Sequence, residues 1–364
     1  MSGARRARDH LEAIAGTPRP AGGQAEAAAR AYCARTLRGV GFDVREDPFD
    51  YSAWPGRYAT AVGGVASTLL LVLAMSVAGR GRSGVALTVL ALGGATLVVA
   101  AAWTARAGVV RAPWGRRRGL NLTATRGSSH PRLWLVAHLD SKSQPVPMLV
   151  RAGAISLHGV TWVAALGLCA ADWLGAPLGG TWLPVGAAAV LTGLPIMASV
   201  VGTRSAGAVD NASGVAAVLL AAATLPRELS LGVVVTSGEE LGLAGARAWV
   251  RTREPATALN CDGIDDRGEL LCMYSGRRPT RLAAAFERAA GADGKALRVL
   301  RLLPGVLVDG VAFADADWEV LTLSRGTLGT LSRIHTERDS LDMLTGAGVA
   351  EAVPVLARVV RELS

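Results

Sequence analysis

Apolar residues follow three rhythms along this chain. The first is helical. Leu11, Ile14, Ala28, Tyr32 and Leu37 recur near a 3.6-residue spacing over residues 8–38, interrupted by Gly16-Thr17-Pro18 and Gly22-Gly23. The second rhythm is short apolar runs that stop at turn residues. These predict strands at 120–125, 133–137 and 231–236, with shorter ones near 258–262, 270–274, 297–303 and 319–323. Helical patterns fall between them at 215–223, 241–250, 279–290 and 346–363. Such alternation implies an α/β fold around a doubly wound, mostly parallel sheet. Residues 42–49 read as an edge strand stopped by Pro48.

The third rhythm is longer. Residues 58–79 and 83–105 contain no Asp, Glu, Lys or Arg, and each is long enough to cross a hydrocarbon layer of roughly 30 Å as a helix. Residues 152–171 hold His158 but no Asp, Glu, Lys or Arg, and 173–203 hold no acid, lysine or arginine. Pro177, Gly179-Gly180 and Pro184 mark a turn, which places helices near 151–171 and 184–203. The expected organisation is two transmembrane hairpins, 57–106 and 143–204, inserted into a discontinuous domain made of 1–56, 107–142 and 205–364. His158 is expected to face the helix bundle.

Composition agrees with a bilayer partner. Of the 364 residues, 51% are apolar and only 18% charged, too apolar for an ordinary soluble enzyme. The net charge of +9 is carried almost wholly by arginine, without the aromatic interleaving of a nucleic-acid surface, so no nucleic-acid partner is expected. Cys33, Cys169, Cys261 and Cys272 form no CxxC pair and read as free thiols. The basic N-terminus leads into no apolar segment, so no cleavable signal is expected. Arg57, Arg106, Arg111, Arg116, Arg117, Arg118, Lys142, Arg151 and Arg204 flank the hairpins, Arg80 and Arg82 sit in one connecting loop, and the other loop carries only Asp172. This bias favours an integral protein of the cell membrane with its large domain in the cytoplasm.

Candidate chemistry collects at strand ends, where open α/β sheets bind ligands. His138-Leu139-Asp140 closes the 133–137 strand with His and Asp on one face, so Asp140 can orient the imidazole. Asp210-Asn211-Ala212-Ser213-Gly214 opens a helix, where an aspartate is more often an N-cap. Glu239 and Glu240 follow Ser237-Gly238; they repel each other, and their ordinary role would be to open the 241–250 helix. Asp262 ends a strand, with Cys261 pointing away from it. His335 precedes Asp339, which reads as the cap of a following short helix.

Each element is weak alone. Taken in order, the set resembles metallopeptidase family 28, which contains di-zinc aminopeptidases, carboxypeptidases, glutaminyl cyclases and inactive receptor-like members. Ala13-Ile14-Ala15-Gly16 with Pro20-Ala21-Gly22, and Val308-Asp309-Gly310-Val311-Ala312-Phe313, are also similar to family segments. The resemblance spans everything except the hairpins. It implies that Asp210 bridges two zinc ions, that Glu240 and His335 complete one site, and that His138 and Asp262 complete the other. It further implies Glu239 as general base and Asp140 as the orienter of His138. Two His with three carboxylates suit paired Zn²⁺ ions. Such ions, about 3.5–4 Å apart, hold and acidify a bridging water. The expected activity is a membrane-anchored zinc aminopeptidase acting on peptides. The competing readings are a glutaminyl-cyclase-like acyltransferase and a non-catalytic receptor or scaffold. Because one hairpin lies between His138 and Asp210, the domain is expected to sit against the bilayer.

Overall fold

The computed structural model describes residues 2–303 and 305–364. The chain divides into two compact units. One runs to Ala53 and adds Pro113–Ser143 and Thr203–Ser364; the other comprises Trp54–Ala112 and Gln144–Gly202.

The first unit is built on eight strands: β1 (Asp43–Ser52), β2 (Arg116–Arg126), β3 (Leu133–His138), β4 (Leu231–Thr236), β5 (Thr257–Ile264), β6 (Glu269–Tyr274), β7 (Leu297–Arg301) and β8 (Glu319–Gly326). Their order is β1-β2-β4-β3-β5-β8-β6-β7. Four neighbours, β4-β3-β5-β8, are parallel throughout, whereas β1-β2, β2-β4 and β6-β8 are antiparallel. The sheet is therefore mixed, with a parallel centre and antiparallel flanks.

The central strands are apolar on both faces because both faces are covered. Leu133, Leu135 and Ala137 of β3, with Val233 and Val235 of β4, join one core; the alternate residues Trp134, Val136 and Val234 join another. The helices Gly3–Ile14, Gln24–Gly39, Gly214–Thr224, Thr280–Gly291 and Ala347–Leu363 supply the larger core. Ala244–Val250 and Asp309–Ala314 cover the opposite face, where Trp249 meets Trp134, Phe313 and Trp318 at ring-centroid distances of 4.8, 5.6 and 5.5 Å. Four buried aromatics on one face give that side its packing area.

Several sequence expectations need correction. Pro48 does not stop β1, which continues to Ser52. β1 is an edge strand paired only with β2, and a proline is tolerated where its missing N–H faces away from the partner. The 241–250 helix begins only at Ala244, because Gly242 and Leu243 both adopt left-handed backbone conformations. The short helices Asp309–Ala314 and Leu328–Arg333 were not anticipated.

Both points at which the chain leaves this unit are clasped. The Ser52 hydroxyl donates to the Trp114 carbonyl, and the Arg204 amide donates to the Ser143 hydroxyl at 2.9 Å.

The second unit holds four apolar helices. Ala53–Ala78, Ser83–Arg111 and Met148–Trp173 are long and apolar enough to cross a membrane. The fourth, Trp182–Met197, is shorter than the expected 184–203 span and covers only about 24 Å at 1.5 Å per residue. His158 faces the interior, with its ring nitrogens 3.0 Å from the Ser67 hydroxyl and 2.9 Å from that of Thr192. All four cysteines are buried and free.

Candidate active site

The parallel strands β3, β4 and β5 end on one edge, and their C-termini deliver His138, the turn at Glu239-Glu240, and Asp262. Two loops reach the same edge, one bringing Asp210 and the other His335. The structure gathers these residues into two adjoining triads, His138/Glu239/Asp262 and Asp210/Glu240/His335. Within each triad, one potential ligand atom per residue lies within 4.8 Å of the others. Asp210 stands between them, with Oδ1 3.1 Å from His138 Nε2 and Oδ2 2.8 Å from His335 Nε2. Asp262 Oδ1 lies 3.5 Å from His138 Nε2, and Glu240 Oε1 lies 3.6 Å from His335 Nε2.

Neither expected capping role is present. Glu239 and Glu240 occupy a tight turn after the left-handed Gly238, and no hydrogen bond ties their side chains to the following helix. Asp210 and Asn211 have non-helical backbone angles and are joined by a cis peptide. The Asn211 side chain ties this loop to β5, donating to the Cys261 carbonyl and accepting from the Gly263 amide.

Asp140 meets more than His138. Its carboxylate accepts the amides of Glu239 at 3.1 Å and Glu240 at 3.2 Å, fixing the turn that bears both glutamates. Its Oδ1 is 3.7 Å from His138 Nδ1, too far for a hydrogen bond. The imidazole instead meets the Asp140 carbonyl, 3.0 Å from Nδ1. A carbonyl can only accept, so Nδ1 donates to it, and Nε2 is the ring nitrogen turned towards Asp210 and Asp262.

Asp339 is also reassigned. It does not cap the turn that follows it; its carboxylate accepts the amides of Val209 at 2.7 Å and Asp210 at 3.1 Å. The fully buried Arg19 grips the same loop from the other side. It donates to the carbonyls of Ala206 and Gly207, and also to those of Leu139 and Ile14. Gly207 is required in this clamp. Its φ is +58°, and a Cβ there would lie 2.3 Å from the Asp210 carbonyl oxygen. His335 is set by a third device: Asp265 accepts from Thr330 and from Arg333 at 2.7 Å, anchoring the helix Leu328–Arg333 just before it.

Lys142 places an ammonium in this cluster, on Glu240 Oε2. Its place beside an apolar run suggests a membrane-flanking charge, yet its partner is Glu240. Arg204, likewise beside an apolar run, pairs with Glu337 at 3.2 Å.

The cluster's electrostatics follow from burial and crowding. Burial pushes the Glu239 carboxyl well above its ordinary range; His138 opposes this and Glu240 adds to it. Burial works against a charge on His138, but Glu239 and Asp262 outweigh it and raise the imidazole well above its usual value. Burial would also raise Asp210, yet the imidazoles of His138 and His335 beside it hold it well below the usual carboxylate range. Burial pushes Asp339 up to about 7, against the Val209 amide it accepts.

Zinc fits these residues. His138 Nε2 and Glu240 Oε1 are buried, have no hydrogen-bond partner, and face the other carboxylate and imidazole groups. Such atoms are expensive to bury unless something positive is shared between them.

Comparison with known proteins is consistent with this geometry. The model of peptidase family M28 matches residues 182–360. No curated protein matches the chain. Among solved structures, an aminopeptidase from Aneurinibacillus sp. strain AM-1 superposes with TM-score 0.56 at 14% identity, covering 99% of this chain and 93% of its own. A zinc aminopeptidase from Bacillus subtilis gives 0.56 at 14%, covering 99% and 95%. A glutaminyl cyclase from Fimbriiglobus ruber gives 0.55 at 14%, covering 98% and 94%. The chain is thus similar to peptidase family M28 over residues 182–360 and shares the mixed α/β fold of these enzymes.

Proposed function

We propose that the protein is a membrane-anchored zinc exopeptidase that removes N-terminal residues from peptides. The observation that carries this reading is the pair of triads meeting at Asp210, with buried, unpartnered ligand atoms facing one another. His138, Asp262 and Asp210 would hold one zinc, and Asp210, Glu240 and His335 the second. When bound, zinc would supply a Lewis acid and lower the pKa of water. Glu239 is buried beside the ligands, within reach of His138, where a carboxylate can take a proton from water and pass it to the leaving amine. Asp140 keeps Glu239 and Glu240 in register through their amides, and its carbonyl fixes the His138 tautomer. The three long apolar helices support membrane anchoring, and the flanking Arg106 and Arg111 support a cytoplasmic active site.

Purified protein should release the N-terminal residue of an aminoacyl chromogenic amide in a chelator-sensitive reaction. Glu239→Gln should lower kcat by about 10²–10⁴-fold with metal content unchanged; full activity in this variant would overturn the assignment.

Lys142 favours a second reading, a single-zinc acyltransferase resembling the glutaminyl cyclases. An ammonium on Glu240 already supplies part of the charge that a second ion would bring. One zinc per chain, with cyclisation of an N-terminal glutamine, would select this alternative.

A further inference from the structure

Glu240 is a divided carboxylate. Its Oε2 carries the Lys142 ammonium, while its Oε1 is buried, has no hydrogen-bond partner, and lies 3.6 Å from His335 Nε2. Lys142 is held there by its neighbours in the chain. Asp140 is locked to the Glu239 and Glu240 amides. The Ser141 hydroxyl donates to the Ser205 carbonyl at 2.9 Å, and the Ser141 amide donates to the Arg19 carbonyl at 2.9 Å. The Ser143 hydroxyl accepts the Arg204 amide. The chain on both sides of Lys142 is thus pinned, and the lysine side chain is only 17% exposed.

A fixed positive charge at this position has two consequences for a divalent cation. It repels a cation held by the same carboxylate, and the repulsion is weakly screened because the groups are buried. It also takes one oxygen of Glu240, leaving a single oxygen to offer. The other triad is arranged differently, since the Lys142 contact falls on Glu240 and not on His138, Glu239 or Asp262.

We propose that Lys142 is a positioning and charge-tuning residue that makes the Asp210/Glu240/His335 position bind divalent metal more weakly than its ligand set alone would. A metal sharing Glu240 with an ammonium receives less negative charge and remains the stronger Lewis acid. The two positions would then differ in affinity because Lys142 touches Glu240, although Asp210 is common to both. This inference rests on the two-metal reading above.

The test uses the full-length, metal-free protein in detergent, titrated with Zn²⁺ in competition with a chromogenic chelator. Wild type, Lys142→Met, Lys142→Gln and Lys142→Arg are compared. Removal of the charge in Lys142→Met is expected to tighten one of the two binding events by at least fivefold, and Lys142→Arg should stay near wild type. Lys142→Gln carries the same expectation as Lys142→Met and replaces it if the methionine variant does not fold. Tightening below fivefold, or weaker binding, overturns the inference while leaving two-metal binding intact. Wild type that binds no zinc overturns the two-metal reading and this inference together, and the stoichiometry separates these outcomes.

Discussion

The two units dispose of polar groups in opposite ways. The sheet unit buries charge: Arg19, Asp140, Asp309 and Asp339 are each fully buried. Apart from Asp309 Oδ1 and the atoms facing the proposed metal positions, the polar atoms named above meet backbone amides, carbonyls or hydroxyls. The helical unit turns apolar surface outward. Val163 is 70% exposed and Leu183 is 83% exposed, while His158 and Thr68 are turned inside. Its interior is lined by small residues such as Ala74, Ala86, Ala165 and Ala189. Helices that cannot rely on the hydrophobic effect between them pack through small residues and a few polar bridges. One unit thus hides its charges in hydrogen-bonded networks, and the other exposes large apolar side chains around an interior of small residues.

Three changes sharpen or break this contrast. The largest effect is expected from Arg19→Met, which strips donors from the carbonyls of Ala206, Gly207 and Leu139 and removes the charge between Asp339, Asp140 and Asp210. Breaking a buried network costs about 3–5 kcal/mol, so thermal unfolding should fall by about 10 °C. An unchanged melting curve would mean that the clamp is dispensable. Next comes Val163→Asp, on the outer face of Met148–Trp173. An acid near a membrane helix centre costs about 3 kcal/mol of insertion, so the variant should be extracted by carbonate where wild type is not. Leu328→Asp, 72% exposed in the sheet unit, should change partitioning by less than about 0.5 kcal/mol. Equal behaviour of the two would dissolve the contrast.

An effect confined to a pH window concerns Glu26, which is buried and accepts the Gly22 amide at 2.7 Å. Burial and the nearby Asp140 push its carboxyl from 4.5 up to about 7. Because the folded state holds this proton more tightly than the unfolded chain, its stabilising contribution is full below about pH 4.5 and is lost as pH rises through about 7. Glu26→Gln should flatten the fall in melting temperature of the metal-free protein over that window, by about 3 kcal/mol at pH 7. Parallel wild-type and variant curves would show that Glu26 does not titrate there.

What could be read from residues alone divides along similar lines. The strands β3, β4 and β5 announce themselves through apolar runs and terminal turns, so His138, Glu239, Glu240 and Asp262 could be placed at one sheet edge before any coordinates. Asp210 and His335 stood out by residue type and order, and the structure brings both beside that edge. Arg19 and Lys142 did not stand out. Arg19 lies in a Pro-Arg-Pro turn, and its partners, Leu139, Ala206 and Gly207, are backbone carbonyls remote in sequence that no side-chain pattern reveals. Lys142 looked like one more cation beside an apolar run, because nothing local says that its stem turns towards Glu240. Nor could the residues show that the Asp140 carboxylate accepts the Glu239 and Glu240 amides: alternation tells which face a side chain takes, not which amide it finds.

The clasped exits of the sheet unit bear on how such a chain could arise. Ser143 and Arg204 touch through a single hydrogen bond, and Ser52 similarly touches Trp114, so each excursion begins and ends at neighbouring points. Closing a long detour between points that already meet costs only slightly more than closing a short one. An ancestral gene could therefore have acquired or shed either hairpin without re-registering a strand.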